Sequence, residues 1–309
     1  MKSPVTLAAA MLLLCSMTNV YNPTTTHPIL SGETFQYEVV KKLMLVQAEV
    51  DGKKGYFLFD TGASHLTLNQ THFTDKKLVK NVGATRTAVG GTEALHAMKV
   101  NNFSWGKVKC NNLLTPVADL SALEKTLGRA PLLGLIGYQI VKDYIVYFNY
   151  SQQTITLSRN NQFQKPPTYS LEFSICGHLP VLETTIGSKR KMYLGLDSGA
   201  SVNVLDDSWQ SHLADYAKNS HPVNYTGSAA GYNEATYVTI ETMTLEDQIS
   251  LQNVGLLLTD FQHNAGECFR LDGLVGIDVF IGKNVAIDYR NNQLHIWTEA
   301  PSPKPFILF

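Results

Sequence analysis

The chain has 309 residues, 44% hydrophobic and 17% charged, with 25 Lys+Arg against 26 Asp+Glu and a formal net charge of -1. A surface this close to neutral cannot neutralise a run of phosphates, which excludes nucleic acid as a partner class. The apolar fraction excludes wholesale disorder, and 22 Gly and 4 Cys exclude collagen-like and disulfide-dense scaffolds.

Taken in chain order, Lys2 precedes an apolar run from Val5 to Leu14. That run is too short to span a bilayer and the right length for the core of a signal peptide, so residues 1–20 are expected to be a signal for export to the periplasm or outside the cell. Cys15 follows three leucines and is the alternative, a lipid attachment point; plain secretion is preferred because the small residue usual before such a Cys is missing. No later segment reaches the length of a transmembrane helix. Cys110, Cys176 and Cys268 are an odd set with no zinc spacing and are expected to be core or free thiols.

From Leu43 to Val50 the apolar residues alternate, and Asp51-Gly52 signals a hairpin turn before the next run, Gly55 to Phe59. Val100 to Leu114 and Val238 to Leu258 read as strands with short breaks. Ser121 to Leu127 reads as a helix, and Asp206 to Ala217 as a helical turn opened by its acidic pair. Residues 160–168 end in Pro166-Pro167 and read as a linker. The tail, 299–309, carries three prolines and then Phe306-Ile307-Leu308-Phe309.

The chain also repeats itself. Asp60-Thr61-Gly62-Ala63-Ser64 returns 137 positions later as Asp197-Ser198-Gly199-Ala200-Ser201. Each copy follows an apolar run, Tyr56 to Phe59 and Met192 to Leu196. Gly134-Leu135-Ile136-Gly137 returns 139 positions later as Gly273-Leu274-Val275-Gly276, and Asp143 to Tyr150 lies over Gly282 to Tyr289 at the same offset. A chance second copy of the five-residue motif is expected on the order of once in a thousand sequences. The period is too long for a solenoid and fits a duplicated domain. The expected fold is mainly β: two homologous lobes, 34–159 and 169–298, related by a pseudo-twofold with the active site between them.

An ionisable Asp placed directly after a buried strand is costly unless something compensates for desolvation. Gly62 and Gly199 permit a tight turn whose N–H groups can face the carboxylate. Two such loops, one per lobe, can meet across the pseudo-twofold, as identical patches meet in a dimer. Two carboxylates held that close cannot both ionise and must share one proton. The ionised one can take a proton from an attacking water while the protonated one polarises a carbonyl.

In these motifs the chain resembles the retropepsin-like aspartic proteases, specifically the single-chain bacterial kind with two fused lobes, over roughly Phe35 to Trp297. The resemblance implies a peptidase acting on peptides or proteins, with catalytic Asp60 and Asp197 and no metal or organic cofactor. It also implies a monomer with an internal pseudo-dimer. It makes Thr61 and Ser198 the hydroxyls that bond across to the opposite loop, with Ser64 and Ser201 supporting the carboxylates. Leu135-Ile136-Gly137 and Leu274-Val275-Gly276 are then scaffold. Flaps over the site are expected at Gly90-Gly91 and at Gly231-Tyr232. The Arg that follows the last Gly in retroviral members is missing here, where Tyr138-Gln139 and Ile277-Asp278 stand. The competing readings are a peptide-binding protein that keeps the same cleft without hydrolysis, and a structural protein whose two Asp residues lie far apart.

Overall fold

The computed structural model describes residues 29–75, 78–79, 85–88, 91–94, 96–226, 232–261 and 271–298. The expected signal segment and the C-terminal tail lie outside the described residues.

The first hairpin forms where its turn chemistry demands. Asp51 and Gly52 take φ of +47° and +83°, the left-handed pair that a two-residue hairpin loop needs. They join Leu43–Val50 to Lys53–Phe59 in antiparallel register, with Leu45 opposite Leu58 and Val50 opposite Lys53. Lys53–Phe59 then pairs in parallel with Leu132–Ile136, every residue of which is buried. A strand covered on both faces is uniformly apolar rather than alternating.

The eight strands of the first lobe run in the order Glu38–Val40, Leu43–Val50, Lys53–Phe59, Leu132–Ile136, Thr67–Asn69, Val108–Ala118, His96–Trp105, Leu78–Val79, and Leu43–Val50 also pairs with His96–Trp105. The second lobe repeats this step for step: Ser174–Cys176, Leu179–Ile186, Ser188–Asp197, Gly273–Gly276, Asn203–Asp206, Ile249–Thr259, Tyr232–Leu245, Ala217–Thr226. Its closing contact, Leu179–Ile186 with Tyr232–Leu245, is the counterpart of the first. The fold is therefore two like β-lobes, as the repeat implied.

A third sheet, which the sequence reading did not foresee, joins the lobes. Its six strands are Glu33–Gln36, Thr154–Ser158, Ile145–Asn149, Asn284–Asp288, Gln293–Trp297 and Tyr169–Glu172. At its centre Ile145–Asn149 lies antiparallel to Asn284–Asp288, with Tyr147 opposite Ala286. Ala286 is also the residue that the 139-position offset assigns to Tyr147. A residue paired with its own copy lies on the symmetry axis, so the pseudo-twofold passes between these two. The largest buried cluster crosses here without a break, through Val146, Phe148, Val285 and Ile287.

Ser121–Leu127 is a helix as read, stopped by Gly128 in the left-handed conformation. Asp206 caps the second helical turn: its carboxylate accepts from Ser208 N–H at 3.1 Å ahead of the 3-10 turn Asp207–Trp209 and the short helix Gln210–Leu213. The two long strand readings each resolve into a hairpin, bent at Gly106-Lys107 in the first lobe and at 246–248 in the second. One expectation is corrected. Cys176 is disulfide-bonded, whereas Cys110 is free and half-buried. An odd count requires a leftover thiol but does not say which two cysteines the fold brings together.

Candidate active site

Both motif loops leave the middle of a lobe. Lys53–Phe59 lies between two strands, and Asp60 N–H donates to Ile136 O at 3.0 Å. Ser188–Asp197 occupies the same place in its sheet, with Asp197 in register with Gly276. Each loop then turns at once, Ala63 N–H donating to Asp60 O and Ala200 N–H to Asp197 O, both at 3.2 Å.

The turns aim backbone N–H groups at the carboxylates. Asp60 Oδ1 accepts from Gly62 N at 2.9 Å and Ala63 N at 3.1 Å. Asp197 Oδ1 accepts from Gly199 N at 2.7 Å and, across the seam, from Gly62 N at 3.2 Å. Gly62 N–H thus donates to both carboxylates and holds the two side chains face to face. This contact gives the glycines a second reason to be there. A Cβ on Gly62 would collide with the Asp197 carboxylate, and a Cβ on Gly199 with that of Asp60.

Beneath the carboxylates the loops are locked reciprocally. Thr61 N–H donates to Ser198 Oγ at 2.9 Å, and Ser198 N–H donates to Thr61 Oγ1 at 2.8 Å. Each hydroxyl then donates into the opposite lobe, Thr61 to Leu196 O at 3.1 Å and Ser198 to Phe59 O at 3.0 Å. Both residues are 1% exposed, so every one of these groups would be left unpaired without its partner.

Electrostatics follow from this enclosure. Burial pushes the Asp60 carboxyl well above the usual carboxylate range, and the charge of Asp197 pushes it further. Burial raises Asp197 too, opposed by the Gly199 N–H, the bond from Asp60, the Gly62 N–H and His178. Two acids raised by the same enclosure favour holding one proton between them over carrying two charges. Both residues keep intermediate solvent exposure, so the seam is open above them.

The motif serines act otherwise than expected. Ser64 Oγ bonds to His65 Nδ1 at 2.8 Å, and neither Ser64 nor Ser201 bonds to a carboxylate among the described residues. The N–H groups of Gly62, Ala63 and Gly199 already fill that role. Ser64 ties the loop down through its carbonyl, which accepts from Gln139 N–H at 3.0 Å, while Tyr138 N–H bonds to Ala63 O at 2.8 Å. These two bonds hold the loop in a chain that lacks the retroviral Arg. Of the flap residues, Gly90 and Gly231 lie outside the described residues. Gly91 opens the strand Gly91–Ala94, paired with Ala88, and Tyr232 opens Tyr232–Leu245, paired with Thr226.

Sequence reasoning missed His178. It sits at the turn between Ser174–Cys176 and Leu179–Ile186 in the second lobe, and its Nε2 lies 2.7 Å from Gly62 O of the first. With His65, Tyr138 and Lys142 it lines a pocket of about 330 Å³ beside the loop. No motif marks it, because the turn is remote in sequence and its counterpart is Lys42. Tyr289, also missed, is buried below the pair at 5.1 Å from the Tyr138 ring; burial pushes its hydroxyl far up, with smaller contributions from Tyr138, Asp197 and Asp60. Among the described residues no three His, Cys, Asp or Glu side chains are grouped to hold a metal ion.

Residues 46–140 match the family model for aspartyl protease. The match takes in Asp60 and its loop, and runs through the Gly134 to Gly137 segment. It stops short of Asp197. No curated protein matches the chain. The match lies within the first lobe and supports a protease-type function.

Proposed function

We propose that the chain is an aspartic endopeptidase whose catalytic pair is Asp60 and Asp197. The observation that carries this reading is the meeting of the two carboxyl groups at the Gly62 N–H, which donates to both within a cage of backbone N–H donors. In the singly protonated pair, Asp197 takes a proton from a water as that water attacks the peptide carbonyl. Asp60 donates its hydrogen bond to the carbonyl oxygen and stabilises the tetrahedral species. Proton return to the leaving nitrogen breaks the C–N bond and restores the pair. Thr61 and Ser198 keep the two carboxyl groups in reach of one water.

The apolar run at Val5 to Leu14 supports export, and the disulfide of Cys176 suits an oxidising compartment. Secretion is preferred to lipid attachment at Cys15. Among the described residues no helix is long and apolar enough to cross a membrane. The lobes supply both halves of the site from one chain, so a monomer suffices.

The test is cleavage of a mixed peptide library by wild type, Asp60→Asn and Asp197→Asn between pH 3 and 8. A bell-shaped profile is expected for wild type, because only the singly protonated pair works. Each Asn keeps an acceptor for the loop N–H groups but cannot share a proton, so both variants should fold and lose activity. If Asp197→Asn cleaves as fast as wild type, the shared-proton mechanism is wrong.

A further inference from the structure

The two sides of the catalytic pair carry different chemistry. Beside the first loop stand His65, Lys142 and His178, around Tyr138. None of the residues lining this pocket is acidic, and Lys142 makes no ion pair among the described residues. Asp143, next to it in sequence, is exposed. His178 donates Nε2–H to Gly62 O, while His65 is exposed and uses Nδ1 on Ser64, which leaves the His65 Nε2 for a ligand.

The duplication says what stands at the equivalent places beside the second loop. His65 maps to Val202, Tyr138 to Ile277 and Lys142 to Ile281. Val202 and Ile281 are 45% and 44% exposed, among the few large hydrophobic residues open to solvent. Lys42 takes the place of His178 and is engaged in an interaction of its own.

We infer that these are two unlike substrate subsites, and that the pocket of His65, Lys142 and His178 takes an acidic side chain of the peptide. This rests on the proposed cleavage at Asp60 and Asp197. An extended peptide crossing a pseudo-twofold presents side chains to both equivalent positions, one on each side of the bond to be cut. An ionised Glu or Asp would meet the Lys142 ammonium and the His65 Nε2 on one side. An apolar residue would cover Val202 and Ile281 on the other. The substrate thereby has a polarity that the symmetric backbone cannot supply.

The test uses peptides that differ only by Glu or Gln at one position, scanned along a cleavable sequence. Wild type is read by kcat/KM, and Asp60→Asn by fluorescence-anisotropy affinity for the same peptides. Glu should be favoured over Gln at one position only, on the order of fivefold, the worth of a partly exposed charge pair. Lys142→Glu should invert that ratio. Val202→His combined with Ile281→Lys should add a second preference for Glu on the opposite side of the scissile bond. Equal rates for Glu and Gln everywhere, or a ratio indifferent to Lys142→Glu, would overturn the inference. Binding by Asp60→Asn that keeps the Glu preference, in a wild type that cuts nothing, would leave this subsite standing and remove the peptidase reading. Failure to bind any of the peptides would overturn both.

Discussion

The two lobes share a strand order, a closing contact and a loop that begins with Asp, yet they part company within a few residues of that loop. Thr61 and Ser198 differ by one methyl and make the same two pairs of bonds. Their neighbours diverge freely, His65 against Val202 and Lys142 against Ile281. Even the tyrosines after the shared strands differ: Tyr150 donates to Ile277 O at 2.6 Å, whereas its copy Tyr289 has a buried hydroxyl with no hydrogen-bond partner among the described residues. Where a group must hydrogen-bond to its own copy, as Thr61 does to Ser198, both halves are held to one chemistry, whereas Tyr147 and Ala286 only face each other on the axis and differ. Where it faces outward from the axis, each half is free to change. Reciprocal bonding across the axis, more than position on it, separates the matched pair Thr61 and Ser198 from the unmatched ones.

The comparison can be broken most forcefully at the pair itself. Asp60→Asn and Asp197→Asn should each cost about 10³-fold or more in kcat, in line with the loss of acid–base catalysis. Equal losses are expected, since neither carboxyl works alone; a large inequality would show that one lobe carries the chemistry.

Next comes the shared sheet. Phe148 is fully buried beside the axis and stacks edge-on to Phe59 at 5.7 Å. Phe148→Ala should cost about 3–5 kcal/mol, read by urea denaturation. Both lobes should unfold in one transition, because the buried cluster runs through both. Two transitions would mean that the sheet joins them only loosely.

The reciprocal lock should respond more gently. Thr61→Val leaves Ser198 N–H and Leu196 O buried without Thr61's hydroxyl, for about 2–3 kcal/mol by the same assay. Ser198→Ala should match it. Thr61→Ser should be nearly neutral, as Ser already performs this role in the second lobe.

The smallest effect is the pH dependence of stability. The Asp60 carboxyl is raised in the folded state, so the fold holds a proton that the unfolded chain releases near its ordinary value. Its contribution to stability is intact below that value and is lost as pH rises through the folded one. Asp60→Asn removes this loss. It should raise Tm by a few degrees at pH 7 relative to wild type and leave Tm little changed near pH 3. A gain at pH 3 as large as at pH 7 would show that the proton is not what differs.

The sequence by itself determined the doubled unit, its mostly β character, the Asp51-Gly52 turn and the two loops that hold Asp60 and Asp197. These are local signals: turn residues, apolar runs and a repeated motif, each readable within a few positions. The repeat also implied a twofold, and the family resemblance implied that Thr61 and Ser198 bond across it. Only the tertiary structure decided what depends on residues far apart in the chain. It assigned Cys176 to a disulfide, made a joint sheet of six strands, three from each lobe, around Tyr147 and Ala286, and gave the carboxylates to backbone N–H groups rather than to Ser64 and Ser201. It also set His178 against Gly62, 116 positions away. A hydroxyl four residues from a carboxylate in sequence competes with backbone donors for the same lone pairs, and the outcome turns on angles that only the folded loop defines.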